Sequence, residues 1–304
     1  MTWDRASVED YIVDRLRAGD WADFTESPTY DPAVKPRVTV QFLRNLILGL
    51  DHRAPGLPSG LRLRGALIDG EFDLADCMAP GGAGFGVLAL EACDLPGRLN
   101  LSHIQLSRLS IRQSRFSELW GEGLSVRGDV DLRETSPMPS SNELMAYVRL
   151  RAARIGGDLW GRGARLQAPH SIPRGLTIAP PALNLWLAQI EGSANFEDGF
   201  VCSGAINLIT ASVRGNLSFS GARLINPGHI ALDASGCSVG GNASFNLYDD
   251  QRFQAEGEMR FINTAVGEDL DFLGACLTHA EGDALDARGC SVRGRVLLTS
   301  GALH

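Results

Sequence analysis

Acidic residues recur in this chain in pairs with one residue between them. Glu71 and Asp73, Asp129 and Asp131, and Asp269 and Asp271 form such pairs, and Asp158 stands alone at an equivalent place. On a strand, side chains two apart share a face and stand about 7 Å apart. Two carboxylates at that separation suit glycoside hydrolysis, one as acid and the other as base or nucleophile. The same residues in line would instead make a stripe of negative potential, opposed at its offsets only by Arg98 and Arg295, and such a stripe attracts a cationic partner. Recurrence decides between these. A catalytic site is unique, whereas an arrangement repeated along a chain belongs to its architecture. No catalytic residue is therefore assigned. Glu71, Asp73, Asp129, Asp131, Asp158, Asp269 and Asp271 are the candidate binding residues, with a solvated strand face as the plainer reading.

Other chemistry is sparse. The six histidines (His52, His103, His170, His229, His279, His304) show no H-x-x-x-H or H-E-x-x-H spacing, so no metal site is expected. The cysteines Cys77, Cys93, Cys202, Cys237, Cys276 and Cys290 never form C-x-x-C, which removes zinc knuckles and dithiol redox motifs. Gly81-Gly-Ala-Gly-Phe-Gly86 lacks both the strand-then-helix context and the Lys-Ser/Thr pair of a phosphate loop. No cofactor is expected.

The acidic residues are positioned by a repeat. Ile68-Asp-Gly-Glu-Phe-Asp-Leu74, Val126-Arg-Gly-Asp-Val-Asp-Leu132 and Val213-Arg-Gly-Asn-Leu-Ser-Phe219 share one seven-residue pattern, with related copies from Leu95, Ile155, Ile190, Val239, Val266 and Val292. Successive copies lie 27, 31, 29, 35, 23, 26, 27 and 26 residues apart, a period near 26 interrupted by insertions. Positions one, five and seven are apolar, and five and seven alternate with polar residues as on a strand with one buried face. The acids occupy positions four and six, which predicts an outward orientation. Position three is glycine except at Glu268, which suggests a corner in a restricted backbone conformation. Cys93, Cys237 and Cys290 fall where other copies have Ala66, Ala153, Ala188 and Ala211, as small core residues would. Around one copy the apolar pairs Ala211/Val213, Leu217/Phe219, Ala222/Leu224 and Ile230/Leu232 give four inward sides. The expected fold is all-β, a four-sided β-helix (solenoid) with a short α-helical N-terminal segment.

Ala222-Arg-Leu224, Ala153-Arg-Ile155 and Ala164-Arg-Leu166 resemble the Ala-x-Leu kernel of pentapeptide-repeat proteins. That resemblance, over roughly residues 61–304, implies a right-handed quadrilateral β-helix. It also implies one specific function, since some members mimic duplex DNA and occupy topoisomerases.

Residues 1–57 lack the repeat and are expected to form a helical cap over the open end of the solenoid at 58–304. Helices are predicted from Ser7, with Tyr11, Ile12 and Leu16 on one face, and from Thr39, with Phe42, Leu43, Leu46 and Ile47. Insertions at 78–87, 134–147, 167–182 and 247–258 are expected to emerge on one side, where binding loops gather in repeat arrays. Past the copy at Val292 no cap is evident, so the expectation is that the natural chain continues or, as the second reading, that the last coil pairs end to end with another copy. A net charge of −8 argues against direct nucleic-acid binding. There is neither a signal-peptide pattern nor an apolar run of membrane-spanning length, and the expected location is cytoplasmic. The expected function is a non-enzymatic scaffold that binds a macromolecular partner, most simply a protein. A carbohydrate-active β-helix enzyme and a DNA-mimic topoisomerase-binding protein are the competing readings.

Overall fold

The computed structural model describes residues 4–54, 57, 60–82, 84–140, 143–169, 180–280 and 282–298. Among the described residues, strands make up 43%, against two α-helices, and nearly all strands run parallel in two long sheets. In the first sheet the ladder of partners climbs from Leu63 to Leu90, and again from Leu88 through Leu109, Val130, Leu159, Ala194, Leu217, Ala243 and Leu270 to Val296. In the second it climbs from Phe72 through Leu99, Leu119, Val148, Leu183, Ile206 and Leu232 to Met259 and Leu285. The chain visits the sheets alternately, so each return adds one rung to both. This parallel, repeat-like architecture fits the expected β-solenoid.

The core lies between the sheets and is built column by column. Phe196, Phe219, Phe245 and Phe272, all at the seventh position, stack with centroids 5.0, 5.5 and 4.9 Å apart and planes within 19° of parallel. That spacing is close to the distance between neighbouring strands, so identical side chains on successive rungs meet face to face. The column opens at Gly161, where a Cβ would collide with the Phe196 ring. All four rings are fully buried.

Corners are equally regular. After the second-sheet strands, Asn184, Asn207, Asp233 and Asp286 each accept a hydrogen bond from the N–H two residues on, at 2.9 to 3.1 Å. These are Asx turns, which let a side chain satisfy a backbone donor at a bend. One residue later the backbone enters the left-handed region at Leu187, Thr210, Gly236 and Gly289, with φ from 54° to 68°.

Three expectations need correction. First, the nine copies do not form one column. Those at Ile68 and Leu95 lie in the second sheet, where Phe72 pairs with Leu99, while those from Val126 onward lie in the first. The 31-residue interval between the glycines of those two groups hides a change of side. Second, the insertions do not share a side. Residues 78–87 lead from the second sheet to the first, whereas 134–147 and 247–258 lead from the first to the second, each carrying a hairpin. Most of 167–182 lies outside the described residues. Third, among the third-position glycines only Gly70 has a positive φ, at 111°. The others are glycine because two rungs approach closely there. A Cβ on Gly157, Gly192, Gly241 or Gly294 would fall on a side-chain oxygen of Asp129, Asp158, Asn216 or Asp269 in the preceding rung.

The N-terminal segment is more than helical. Helix α1 (Arg5–Arg17) starts ahead of Ser7, because Asp4 is its N-cap and accepts from the Ser7 N–H at 2.8 Å. It buries Val8, Ile12, Val13 and Leu16. Strand β1 (Ala22–Asp23) pairs with β3 (Gly60–Arg64) in the first sheet, and β2 (Arg37–Thr39) pairs with β4 (Leu67–Asp69) in the second. Helix α2 (Val40–Ile47) buries Phe42, Leu43, Leu46 and Ile47. The segment thus extends both sheets as well as laying helices on them. No helix among the described residues is long and apolar enough to cross a membrane.

Candidate functional site: the carboxylate and amide ladder

The fourth-position residues turn toward the next rung. Asp129 Oδ1 accepts from the Asp158 N–H at 3.0 Å, and Asp158 Oδ1 accepts from the Ser193 N–H at 2.7 Å. Ser193 Oγ accepts from Asn216 at 3.1 Å, and Asn216 Oδ1 accepts from Asn242 at 2.9 Å. Asn242 Oδ1 accepts from Asp269 at 2.9 Å, and Asp269 Oδ1 from Arg295 at 2.7 Å. The acceptors are Asp, Ser and Asn in one continuous line. Each satisfies a backbone donor that the corner takes out of the strand ladder, which is why any short side chain with an oxygen serves. Closing in on its neighbour, each acceptor also occupies the space a third-position Cβ would need.

The sixth position bonds chiefly within its own rung. Asp73 Oδ1 accepts from the Ala75 N–H at 2.8 Å and Asp271 Oδ1 from the Leu273 N–H at 2.8 Å, while Asn246 donates to Asp271 Oδ2. Asp131 is buried, accepts from the Arg133 N–H at 3.1 Å, and is gripped by the Arg133 guanidinium. Asp129 lies 3.7 Å from Arg108 and Asp269 2.7 Å from Arg295. The hydrogen bonds from Arg295 hold the Asp269 carboxyl below its ordinary value. Glu71, 3.6 Å from Arg98, is mostly exposed. The seven candidates therefore divide: Glu71 and Asp73 belong to the second sheet and the rest to the first. Asp129 and Asp131 do not present a matched acid and base, since each is already committed to N–H groups and guanidinium.

Two clusters escaped the sequence reading. On the outer side of the second sheet, Trp120 lies between Arg98 and Arg149, 4.3 and 5.2 Å from its ring centroid. Its Nε1–H donates to Tyr147 Oη at 3.1 Å, which donates to Glu118. Glu122 accepts from Arg149 at 2.8 Å and lies 3.8 Å from Arg151, which covers Trp186 at 4.4 Å. Burial pushes the Tyr147 hydroxyl up to about 12. The signal was present: Trp120 and Arg149 occupy the same register in successive rungs, but the register emerges only once the second sheet is aligned. The other cluster surrounds Lys35, the chain's one lysine. Its Nζ donates to Asp94 Oδ1 at 2.8 Å and to the Ala92 carbonyl at 2.7 Å, and Arg115 grips the same carboxylate. Burial opposes ionisation of Asp94, but the bonds from Arg115 and Lys35 outweigh it and lower its carboxyl.

Of the three cysteines expected in the core, Cys93 and Cys237 are buried and Cys290 is only partly so, because it lies on the last described rung. Cys202 is buried as well, and burial pushes the thiols of Cys93 and Cys237 up to about 12. Among the described residues no group of three or more His, Cys, Asp or Glu side chains could hold a metal ion. His170 and His304 lie outside them. Compared with models of known protein families, with curated proteins and with solved structures, the chain finds no match.

Proposed function

We propose that the chain is a non-enzymatic scaffold that holds a macromolecular partner, most simply a protein, against the outer side of a right-handed, four-sided solenoid related to the pentapeptide-repeat fold. The observation that carries the reading is the ladder from Asp129 to Arg295. Polar residues that would make a hydrolytic pair instead repeat rung after rung and bond to backbone. A surface so regular suits extended contact with a large partner better than conversion of a small substrate at one point. The expected location remains the cytoplasm. The test is affinity capture with the full chain from a lysate of its source organism, followed by calorimetry on the purified captured component. A macromolecule binding at fixed stoichiometry supports the scaffold. Release of reducing ends from a polysaccharide panel, with no macromolecule retained, would overturn it in favour of the carbohydrate-active alternative.

A further inference from the structure

Most guanidinium groups on the rungs face a carboxylate: Arg64, Arg98, Arg133, Arg149, Arg214 and Arg260 all lie within 3.5 Å of one. Arg127 and Arg154 do not, and unlike Arg165 and Arg293, which also have no such partner, these two stand on adjacent rungs of one sheet. Both are exposed, and neither side chain has an ion pair or hydrogen bond among the described residues. They share the outward side of the first sheet on successive rungs, for Ser125 pairs with Arg154 and Val126 with Ile155. Arg127, one residue beyond the inward Val126, therefore stands diagonally from Arg154. With strands about 4.8 Å apart and two residues of rise along the strand, their Cα atoms are separated by about 8 Å. Gly128, Gly156 and Gly157 put no side chain between them, and Cβ atoms at Gly156 and Gly157 are barred by the preceding rung. The exposed amides of Gln105 and Gln189 flank the two arginines in the same outward column.

We propose that Arg127 and Arg154 dock an extended acidic segment of the partner protein, with carboxylates two residues apart, one on each guanidinium. This rests on the scaffold reading and narrows it to a surface and a partner chemistry. Alternate side chains of an extended peptide stand about 7 Å apart on one side, which long arginine side chains bridge without strain. The glutamines complement peptide N–H and C=O groups, because an amide both donates and accepts. A long polyanion is the poorer match. The whole chain carries −8, and Asp129 and Asp158 border the arginines, so a nucleic acid or sulfated glycan meets repulsion over most of its length. A short motif meets the two guanidinium groups, while the carboxylates of Asp129 and Asp158 are already held by backbone N–H groups of the next rung.

The test is fluorescence anisotropy with a labelled peptide carrying one Glu-x-Glu, read at low and physiological salt. The controls are a Gln-x-Gln peptide and the double variant Arg127→Ala/Arg154→Ala. Both side chains are exposed, so the variant is expected to keep the circular dichroism and melting of the parent. Either the amide peptide or the variant is expected to weaken binding at least about tenfold, with the acidic peptide also weakening as salt rises. Equal binding by the variant, equal binding of the two peptides, or no binding at millimolar peptide would overturn the proposal. So would a heparin fragment binding where the peptide does not. Capture of one macromolecular partner by both parent and variant would sink this docking surface and leave the scaffold reading standing.

Discussion

At the scale of the residue, the chemistry of a side chain in this fold depends on which neighbour it can reach. Asp158 resembles a surface acid in the sequence, yet its Oδ1 holds the Ser193 amide of the next rung. Asn216 and Asn242 do the same work without charge. Asp158→Asn is therefore expected to leave the unfolding midpoint nearly unchanged. Asp158→Ala, which strands a corner N–H, should cost about 2 kcal/mol. Guanidinium denaturation of the three proteins checks this, and equal midpoints for the alanine and asparagine variants would show that the bond contributes nothing. The identities of the acids were legible in the sequence, but their direction was not. Period-two alternation states which side of a strand a residue takes, not that a fourth-position side chain folds over toward the following rung. The mixture of Asp, Ser and Asn in one column was the available clue, since a stripe selected for charge would not exchange freely with serine.

At the scale of the element, close approach explains what conformation alone did not. The third-position glycines were visible as a column, and the corner they mark is real, but their cause is the oxygen beneath them rather than a positive φ. The copies at Ile68 and Leu95 matched the pattern just as well while lying in the other sheet, because an inward–outward alternation with a glycine break suits either side. Spacing could not separate the two until partners were known. The N-terminal segment shows the same limit. Its helices followed from capping and apolar periodicity, whereas β1 and β2 are too short to carry a pattern of their own and take their strand form from β3 and β4. The segment is tied down by Lys35, whose side chain is only 10% exposed against Asp94. Lys35→Met removes one of the two cations from a buried carboxylate and is expected to cost about 3 kcal/mol, felt first in the strands it anchors. Limited trypsin digestion followed by mass spectrometry should then show early cleavage after Arg37. Unchanged protection at that site would mean that the helices alone hold the segment in place.

At the scale of the molecule, one principle runs through both sheets: each rung is templated by the one before it. Apolar columns stack like on like, as in the phenylalanine series from Phe196 to Phe272, and polar columns pass hydrogen bonds forward. Cation–aromatic contacts around Trp120 and Trp186 add a third tie on the outer side of the second sheet. Such a molecule has a regular surface whose rigidity does not depend on any one residue. Arg127 and Arg154 stand out against that regularity because they face outward without a carboxylate partner on adjacent rungs of one sheet. The claim beneath all of this is that the repeated polar residues bind rung to rung rather than facing solvent. Residue-resolved hydrogen exchange on the full chain tests it most directly. The backbone amides of Asp158, Ser193, Asn216, Asn242 and Asp269 are expected to exchange as slowly as those of neighbouring strand residues, although their own side chains reach the surface. Exchange at the rate of open loops, with the apolar strand positions still protected, would contradict the ladder and return those residues to a free polar face.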